Sequence, residues 1–177
     1  MSVKPVNLTV NPCKMCMPMG VVTAMYGIKR CITLLHGSQG CSTYIRRHMA
    51  THYNEPVDIA STSLTEEGTV YGGERNLIKG LINLIKVYRP DVVVVATTCL
   101  AETIGEDLNR MIGQFYAKYP QYSHVLIVPI NSPGYGGSQF EGYMSALCQL
   151  LKSVPMNPAK NDKVNVITGY LSPADTR

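Results

Sequence analysis

The sequence predicts an α/β fold in which helices cover a parallel β-sheet. Segments with apolar residues at helical spacing alternate with short β-branched runs along the centre of the chain. One run, VVVVA at residues 92–96, has the continuous apolar character of a strand buried on both faces. With 177 residues, of which 45% are hydrophobic and 16% charged, the chain is large enough to bury a core. Because parallel strands need crossover connections, the alternation indicates right-handed βαβ units.

The strands and helices are predicted in a regular order. Strands are expected at residues 31–35, 56–60, 92–96 and 125–130, and helices at residues 42–53, 74–88, 108–119 and 140–151. In the helix at 74–88, Leu77, Leu81 and Leu84 repeat at helical spacing, and Pro90 follows its end. The two later helices carry the same kind of apolar repeat: Leu108, Met111, Ile112, Phe115 and Tyr119 in one, and Tyr143, Met144, Leu147, Leu150 and Leu151 in the other.

The end of the chain differs from the rest. Residues 153–163 (SVPMNPAKNDK) are polar and contain proline, and residues 164–168 then resemble another strand with no helix after it to cover it. We therefore expect residues 1–153 to form one domain. Residues 154–177 are expected to be a linker and the first strand of a truncated second domain.

Composition and charge exclude several functions. The net charge is +4, from 16 basic and 12 acidic residues, and no basic tract is longer than Arg46-Arg47, so nucleic acid is not an expected partner. No apolar run approaches the ~20 residues that cross a bilayer. The N-terminus has no hydrophobic segment of a secretory signal, so we expect a cytoplasmic, reducing compartment. In that compartment the six cysteines are thiols or metal ligands rather than disulfides.

Cysteines converge on the edge of the sheet where ligands bind in open α/β folds, the carboxyl ends of the strands. Cys41 and Cys99 each follow a predicted strand, and Cys16 precedes the first helix together with Cys13. One interpretation is an iron–sulfur site, because thiolates are the usual ligands of such clusters. The other is that Cys41 and Cys99 are small buried residues at tight turns. Cys31 and Cys148 lie inside apolar patterns and are predicted to belong to the core.

Other candidate motifs are weaker. Cys13 and Cys16 form a lone CxxC, whereas a zinc site needs a second pair or histidines. His48 and His52 share a helix face but lack the glutamate of a metalloprotease motif, and a polar or interface face is expected instead. The glycine-rich turns at residues 37–40 and 134–137 fit neither of the phosphate-binding motifs GxxxxGK(S/T) and GxGxxG. Glu106 and Asp107 are predicted to cap a helix. No catalytic triad is distinguishable, and we assign no catalytic residue.

Four stretches resemble a known family. They are NPCKMCMPMG, LLHGSQGCSTYIRRHMATHYNEP, STSLTEEGTVYGGERNLIKGL and VVATTCLAETIGEDL. A fifth stretch, SPGYGGSQFEGY, is a weaker match, and together the five cover most of residues 11–150. The sequence resembles the nitrogenase component 1 superfamily, and within it the β-type chains, which include a catalytic subunit and its paralogue in a cofactor-assembly scaffold. The resemblance implies a doubly wound, Rossmann-like domain. Glu106 differs from the residue that the family motif has at this position of the fourth stretch.

The resemblance also implies a set of metal ligands. By motif, Cys16, Cys41 and Cys99 would hold an iron–sulfur cluster shared with a partner chain, [8Fe-7S] in catalytic β subunits or [4Fe-4S] in scaffolds. Catalytic chains add a serine, a redox-dependent ligand, in the loop after the fourth strand. The aligned position here is Gly134, with Ser132 and Ser138 as neighbours. Cys13 receives no role.

Two functions follow from the resemblance. The first is an oxidoreductase subunit for nitrogen fixation, in an α2β2-like heterotetramer with a homologous α-type chain. An ATP-dependent [4Fe-4S] reductase would deliver electrons to it through the bridging cluster. The alternative is a scaffold chain for biosynthesis of an iron–molybdenum cofactor. The motifs of this sequence do not decide between the catalytic subunit and the scaffold chain.

Overall fold

The computed structural model describes residues 15–154. Its strands are β1 (Cys31–His36), β2 (Ile59–Ser61), β3 (Val92–Thr97) and β4 (Leu126–Ile130). Its helices are α1 (Met17–Tyr26), α2 (Gln39–Tyr53), α3 (Glu66–Tyr71), α4 (Glu74–Tyr88), α5 (Cys99–Thr103), α6 (Leu108–Lys118) and α7 (Gln139–Ser153), with a 3-10 turn at Pro120–Tyr122. Cys13, the predicted strand at 164–168 and the predicted second domain lie outside the described residues.

The described strands form one parallel sheet in the order β2-β1-β3-β4. Successive residues of β3 point to opposite faces: Val93 and Val95 join a core with α4 and α6, whereas Val94 and Ala96 join a core with α1, α2 and α7. Helices therefore cover both faces, and the predicted α/β class with a doubly wound parallel sheet is confirmed. None of the helices within residues 15–154 is long and apolar enough to cross a membrane.

Several predicted boundaries were wrong by a few residues. The first paired residue of β2 is Ile59 rather than residue 56, because the register with β1 extends only over Thr33 to Leu35. Helix α2 begins at Gln39, so Cys41 lies in its first turn rather than in the loop before it. Helices α3 and α5, of 6 and 5 residues, were not among the predicted helices. Segments this short complete fewer than two helical turns, so they show no apolar repeat.

Helices α1 and α7 touch through their backbones. A Cβ at Gly20 would overlap the carbonyl oxygen of Gln139, and a Cβ at Gly142 would overlap the carbonyl oxygen of Met17. The Gln139 N–H also donates to the Met15 carbonyl oxygen at 2.8 Å. The start of α1 is therefore held against the start of α7, next to the loop at residues 131–138.

Candidate cysteine site

The three cysteines of the motifs begin helices at the carboxyl edge of the sheet. Cys16 is the N-cap of α1, Cys41 lies in the first turn of α2, and Cys99 is the first residue of α5. Strands β1 and β3 end side by side, because His36 at the end of β1 pairs with Thr97 at the end of β3. Cys16 and Cys41 are partly exposed and Cys99 is exposed. The interpretation of Cys99 as a small buried residue is therefore wrong.

The three thiols are neighbours in space. The Gly134 N–H donates to the Cys99 Sγ at 3.2 Å, and a Cβ built on Gly134 would lie 3.3 Å from the Cβ of Cys16. Burial raises the pKa of the Cys16 thiol, the backbone N–H groups of Met19 and Cys16 lower it, and charge on Cys41 and Cys99 raises it further. Cys41 and Cys99 therefore both lie close enough to Cys16 for their charge to affect its thiol.

The turns that carry Cys41 and Cys99 are held together by a close backbone approach. The Thr98 N–H donates to the His36 carbonyl oxygen at 3.0 Å. A Cβ at Gly37 would overlap the Thr98 hydroxyl oxygen, which is buried and has no hydrogen-bond partner among the described residues. Residue 37 is therefore glycine, because Thr98 in the neighbouring turn leaves no room for a side chain.

The loop at residues 131–138 is attached to both neighbouring segments. The Ser132 N–H donates to the Thr97 Oγ1, and the Ser132 hydroxyl donates to the Thr97 carbonyl oxygen, each at 2.8 Å. The Thr97 hydroxyl donates to the Glu102 carboxylate at 2.5 Å. At the other end of the loop, Ser138 forms an isolated β-bridge with Cys16. These bonds set the position of Gly134 between Cys16 and Cys99.

We expect Thr97→Val to destabilise the chain by about 2 kcal/mol, because valine leaves the Ser132 N–H buried without an acceptor. Thr97→Ser is the matched control, since it keeps the hydroxyl and removes only a methyl group. Urea unfolding of the two variants and the wild type measures the difference. Equal stability of the valine and serine variants would show that the Thr97 hydroxyl does not hold the loop.

His36 and Glu106 form a buried pair behind the cysteine edge. The His36 Nδ1 lies 3.1 Å from the Thr62 hydroxyl oxygen, and its Nε2 lies 3.7 Å from the Glu106 carboxylate. Glu106 accepts the Gly73 N–H at 2.6 Å, so its predicted role as a helix cap is wrong. Asp107 accepts the Arg110 N–H at 3.1 Å and caps α6 as predicted. His36 contacts the loop backbone only through Thr62, whose hydroxyl also accepts the Gly37 N–H.

We expect the chain to become less stable as the pH is lowered, because His36 is buried. Burial lowers the pKa of its imidazole below the ordinary value, and the opposing effect of Glu106 is smaller. The fold therefore favours the neutral ring, and its contribution is complete above the unfolded pKa of about 6.5 and decreases as the pH falls below it. Thermal unfolding from pH 7.5 to 5.0 should show a steeper loss for the wild type than for His36→Gln. Parallel curves would contradict this assignment.

The remaining cysteines and histidines differ in how well they were predicted. Burial raises the pKa of the partly buried Cys31 thiol to about 12, and Cys31 packs against the core as expected. Cys148 is exposed, so its predicted place in the core is wrong. The ring of His48 lies 4.2 Å from that of Tyr44, and the ring of His52 lies 4.7 Å from that of Tyr53. Nothing in the sequence other than its place in the loop pointed to the Gly134 N–H.

A comparison with protein families decides the relationship. The family described as nitrogenase component 1 type oxidoreductase matches residues 16–177. The chain belongs to this family. The component 1 match begins at Cys16, so it includes all three cysteines at the edge.

Curated relatives and a solved structure agree with the component 1 family. The nitrogenase molybdenum-iron protein beta chain of Methanococcus maripaludis is 40% identical over 95% of this chain and 38% of its own length. That of Clostridium pasteurianum is 38% identical over 96% of this chain and 37% of its own length. A solved structure entitled "Nitrogenase Cp1 at pH 6.5" superposes with a TM-score of 0.87 at 37% identity, over 99% of this chain and 39% of that one. The chain thus spans about two fifths of the length of these relatives.

Proposed function

We propose that this chain is the β-type part of a nitrogenase-like component 1, and that it relays electrons through an iron–sulfur cluster held by Cys16, Cys41 and Cys99. The observation that carries the proposal is the meeting of three thiols, from three separate segments, at one edge of the sheet. The relatives support it, since two of them are named as molybdenum-iron protein beta chains. Residues 1–153 would form the cluster-binding domain, followed by the start of a second domain at 154–177.

The donors at this edge fit an iron–sulfur cluster better than a single metal ion. Thiolates are the preferred ligands of such clusters. Among residues 15–154, no three histidine, cysteine, aspartate or glutamate side chains are grouped closely enough to hold one ion. Ligands of a cluster bind separate irons and therefore stand farther apart than the ligands of a single ion. The thiolate chemistry of the three donors is therefore consistent with a cluster.

When bound, such a cluster would accept and pass on single electrons. The residues of this chain would hold it and adjust its potential. Cys16, Cys41 and Cys99 would bind iron as thiolates, and the backbone N–H groups of Met19 and Cys16 partly offset the burial that raises the pKa of the Cys16 thiol. The buried bonds between Ser132 and Thr97 would keep the thiols of Cys99 and Cys16 at a constant separation.

The site would be completed by a partner chain. Cys99 is exposed, and large apolar side chains beside the cysteine edge are also exposed: Tyr44 at 52%, Tyr135 at 69% and Phe140 at 60%. Exposed apolar groups around a ligand site mark a surface that another protein covers. We propose that a homologous α-type chain covers it in an α2β2-like assembly in the cytoplasm. An ATP-dependent [4Fe-4S] reductase would dock on that assembly.

The test is turnover by the complete complex. The full-length chain and its α-type partner are purified together without oxygen and supplied with the reductase and MgATP. We expect reduction of acetylene to ethylene, which stops when ATP is withheld. A complex that holds iron and sulfide but reduces neither acetylene nor dinitrogen would contradict the relay. That result would instead favour the alternative, a scaffold chain for iron–molybdenum cofactor assembly that carries a [4Fe-4S] cluster.

A further inference from the structure

The backbone of Gly134 occupies the gap between two of the three thiols. Its N–H donates to the Cys99 Sγ at 3.2 Å. A Cβ at this position would lie 2.9 Å from the same sulfur and 3.3 Å from the Cβ of Cys16. Gly134 does not have a positive φ, so backbone conformation does not require glycine here. What requires it is space, because the smallest side chain would press on the Cys99 sulfur.

The serines on either side of Gly134 are already engaged. The Ser132 hydroxyl is buried and donates to the Thr97 carbonyl oxygen at 2.8 Å. Ser138 begins α7 in a capping box with Glu141, whose carboxylate accepts the Ser138 N–H at 2.5 Å. Releasing either serine would leave a buried polar group unpaired or remove a helix cap, at a cost of about 1 kcal/mol or more. No serine hydroxyl in this loop is free to bind iron.

We infer that Gly134 is a positioning residue of the cluster site: its N–H holds and tunes the Cys99 sulfur, and its missing side chain means that this chain offers three thiolates and no hydroxyl ligand. The inference rests on the proposed function, because it concerns a cluster held by Cys99. It departs from the pattern that the resemblance implied, in which a serine of this loop is a fourth, redox-dependent ligand.

The hydrogen bond has a predictable electronic effect. A donor at a ligating sulfur stabilises the form of the cluster that carries more negative charge, which is the reduced form. The Gly134 N–H therefore raises the midpoint potential. A serine hydroxyl, by contrast, must lose its proton to bind iron, so serine ligation makes the potential depend on pH. With glycine at 134, this loop contributes no such proton.

The test uses the full-length chain in complex with its α-type partner, purified anaerobically from cells fed ¹⁵N-glycine. Pulsed EPR of the cluster in its paramagnetic state should detect a ¹⁵N coupling that is lost in Gly134→Ala, because the alanine nitrogen is unlabelled. The midpoint potential of Gly134→Ala should also shift to a more negative value, since the added methyl group pushes the N–H away from the sulfur. Gly40→Ala is the matched control: residue 40 adjoins Cys41, but a Cβ there meets nothing within 4 Å. It should keep both the coupling and the potential.

The outcomes separate this inference from the proposed function. A wild-type complex without iron overturns the proposed function and this inference with it. An iron-bearing wild type without the coupling, or a Gly134→Ala variant with unchanged coupling and potential, overturns this inference alone. If the Gly134→Ala complex binds no cluster, the ¹⁵N coupling in the wild type and in Gly40→Ala still decides. Gly134→Ser provides a second check: full iron content with a newly pH-dependent midpoint potential would show that the gap accepts a hydroxyl ligand and that the inference is wrong.

Discussion

Replacement of Gly142 by alanine is expected to destabilise the chain by about 3 kcal/mol, at the upper end of the cost of overpacking a core. The new methyl group would overlap the carbonyl oxygen of Met17. That oxygen belongs to the backbone, so no change of rotamer relieves the contact. Helix α1 would have to move away from α7, and Cys16 at its start would move with it. The same reasoning applies to Gly20, whose Cβ would overlap the Gln139 carbonyl oxygen.

Gly113→Ala is the matched control for this prediction. Gly113 is also inside a helix, but a Cβ there meets nothing within 4 Å. Alanine at 113 should leave stability unchanged or raise it by up to about 1 kcal/mol, from helix propensity alone. Urea unfolding followed by circular dichroism measures both variants. If Gly142→Ala is as stable as Gly113→Ala, the two helices are not in backbone contact.

The parts of the fold that were predictable are those with long, repeated patterns. Helix α4 begins at Glu74 and ends at Tyr88 as predicted, because its leucines repeat at helical spacing and Pro90 follows its end. Strand β3 was recognisable because both of its faces are covered, which leaves an unbroken apolar run. The crossing of α1 and α7 was not predictable. It depends on two glycines 122 positions apart in the sequence, and a local pattern does not show which distant segment they meet.

The candidate site was likewise predictable only in part. The positions of Cys41 and Cys99 after strands were enough to predict that they meet at one edge of the sheet. The hydrogen bonds that determine their surroundings were not visible, because Thr97 and Ser132 look like ordinary loop residues in the sequence. Cys148 was misjudged because it lies within an apolar helical pattern, yet it faces outward. Glu106 was misjudged because an acid at a helix start suggests a cap, whereas its side chain turns inward to Gly73 and His36.

The second large effect is expected from the cysteines themselves. Replacing Cys99, Cys16 or Cys41 by alanine removes a proposed thiolate ligand, whereas loss of an outer partner of a ligand already costs about 10–100-fold in metal affinity. Each variant should therefore retain the cluster at least about 10-fold more weakly than the wild type. Cys148→Ala is the matched control, because Cys148 is an exposed cysteine in the third turn of α7 and lies outside the group of three.

The most direct test of the three-thiolate site is the iron and sulfide content of the complex. The full-length chain and its α-type partner are purified together under anaerobic conditions in five forms: the wild type, the three site variants and Cys148→Ala. We predict that the wild type and Cys148→Ala hold the same iron and sulfide and share one EPR spectrum. The three site variants should each hold less iron and sulfide and lose that spectrum. Equal iron, sulfide and spectra in all five forms would contradict the assignment of Cys16, Cys41 and Cys99 as cluster ligands.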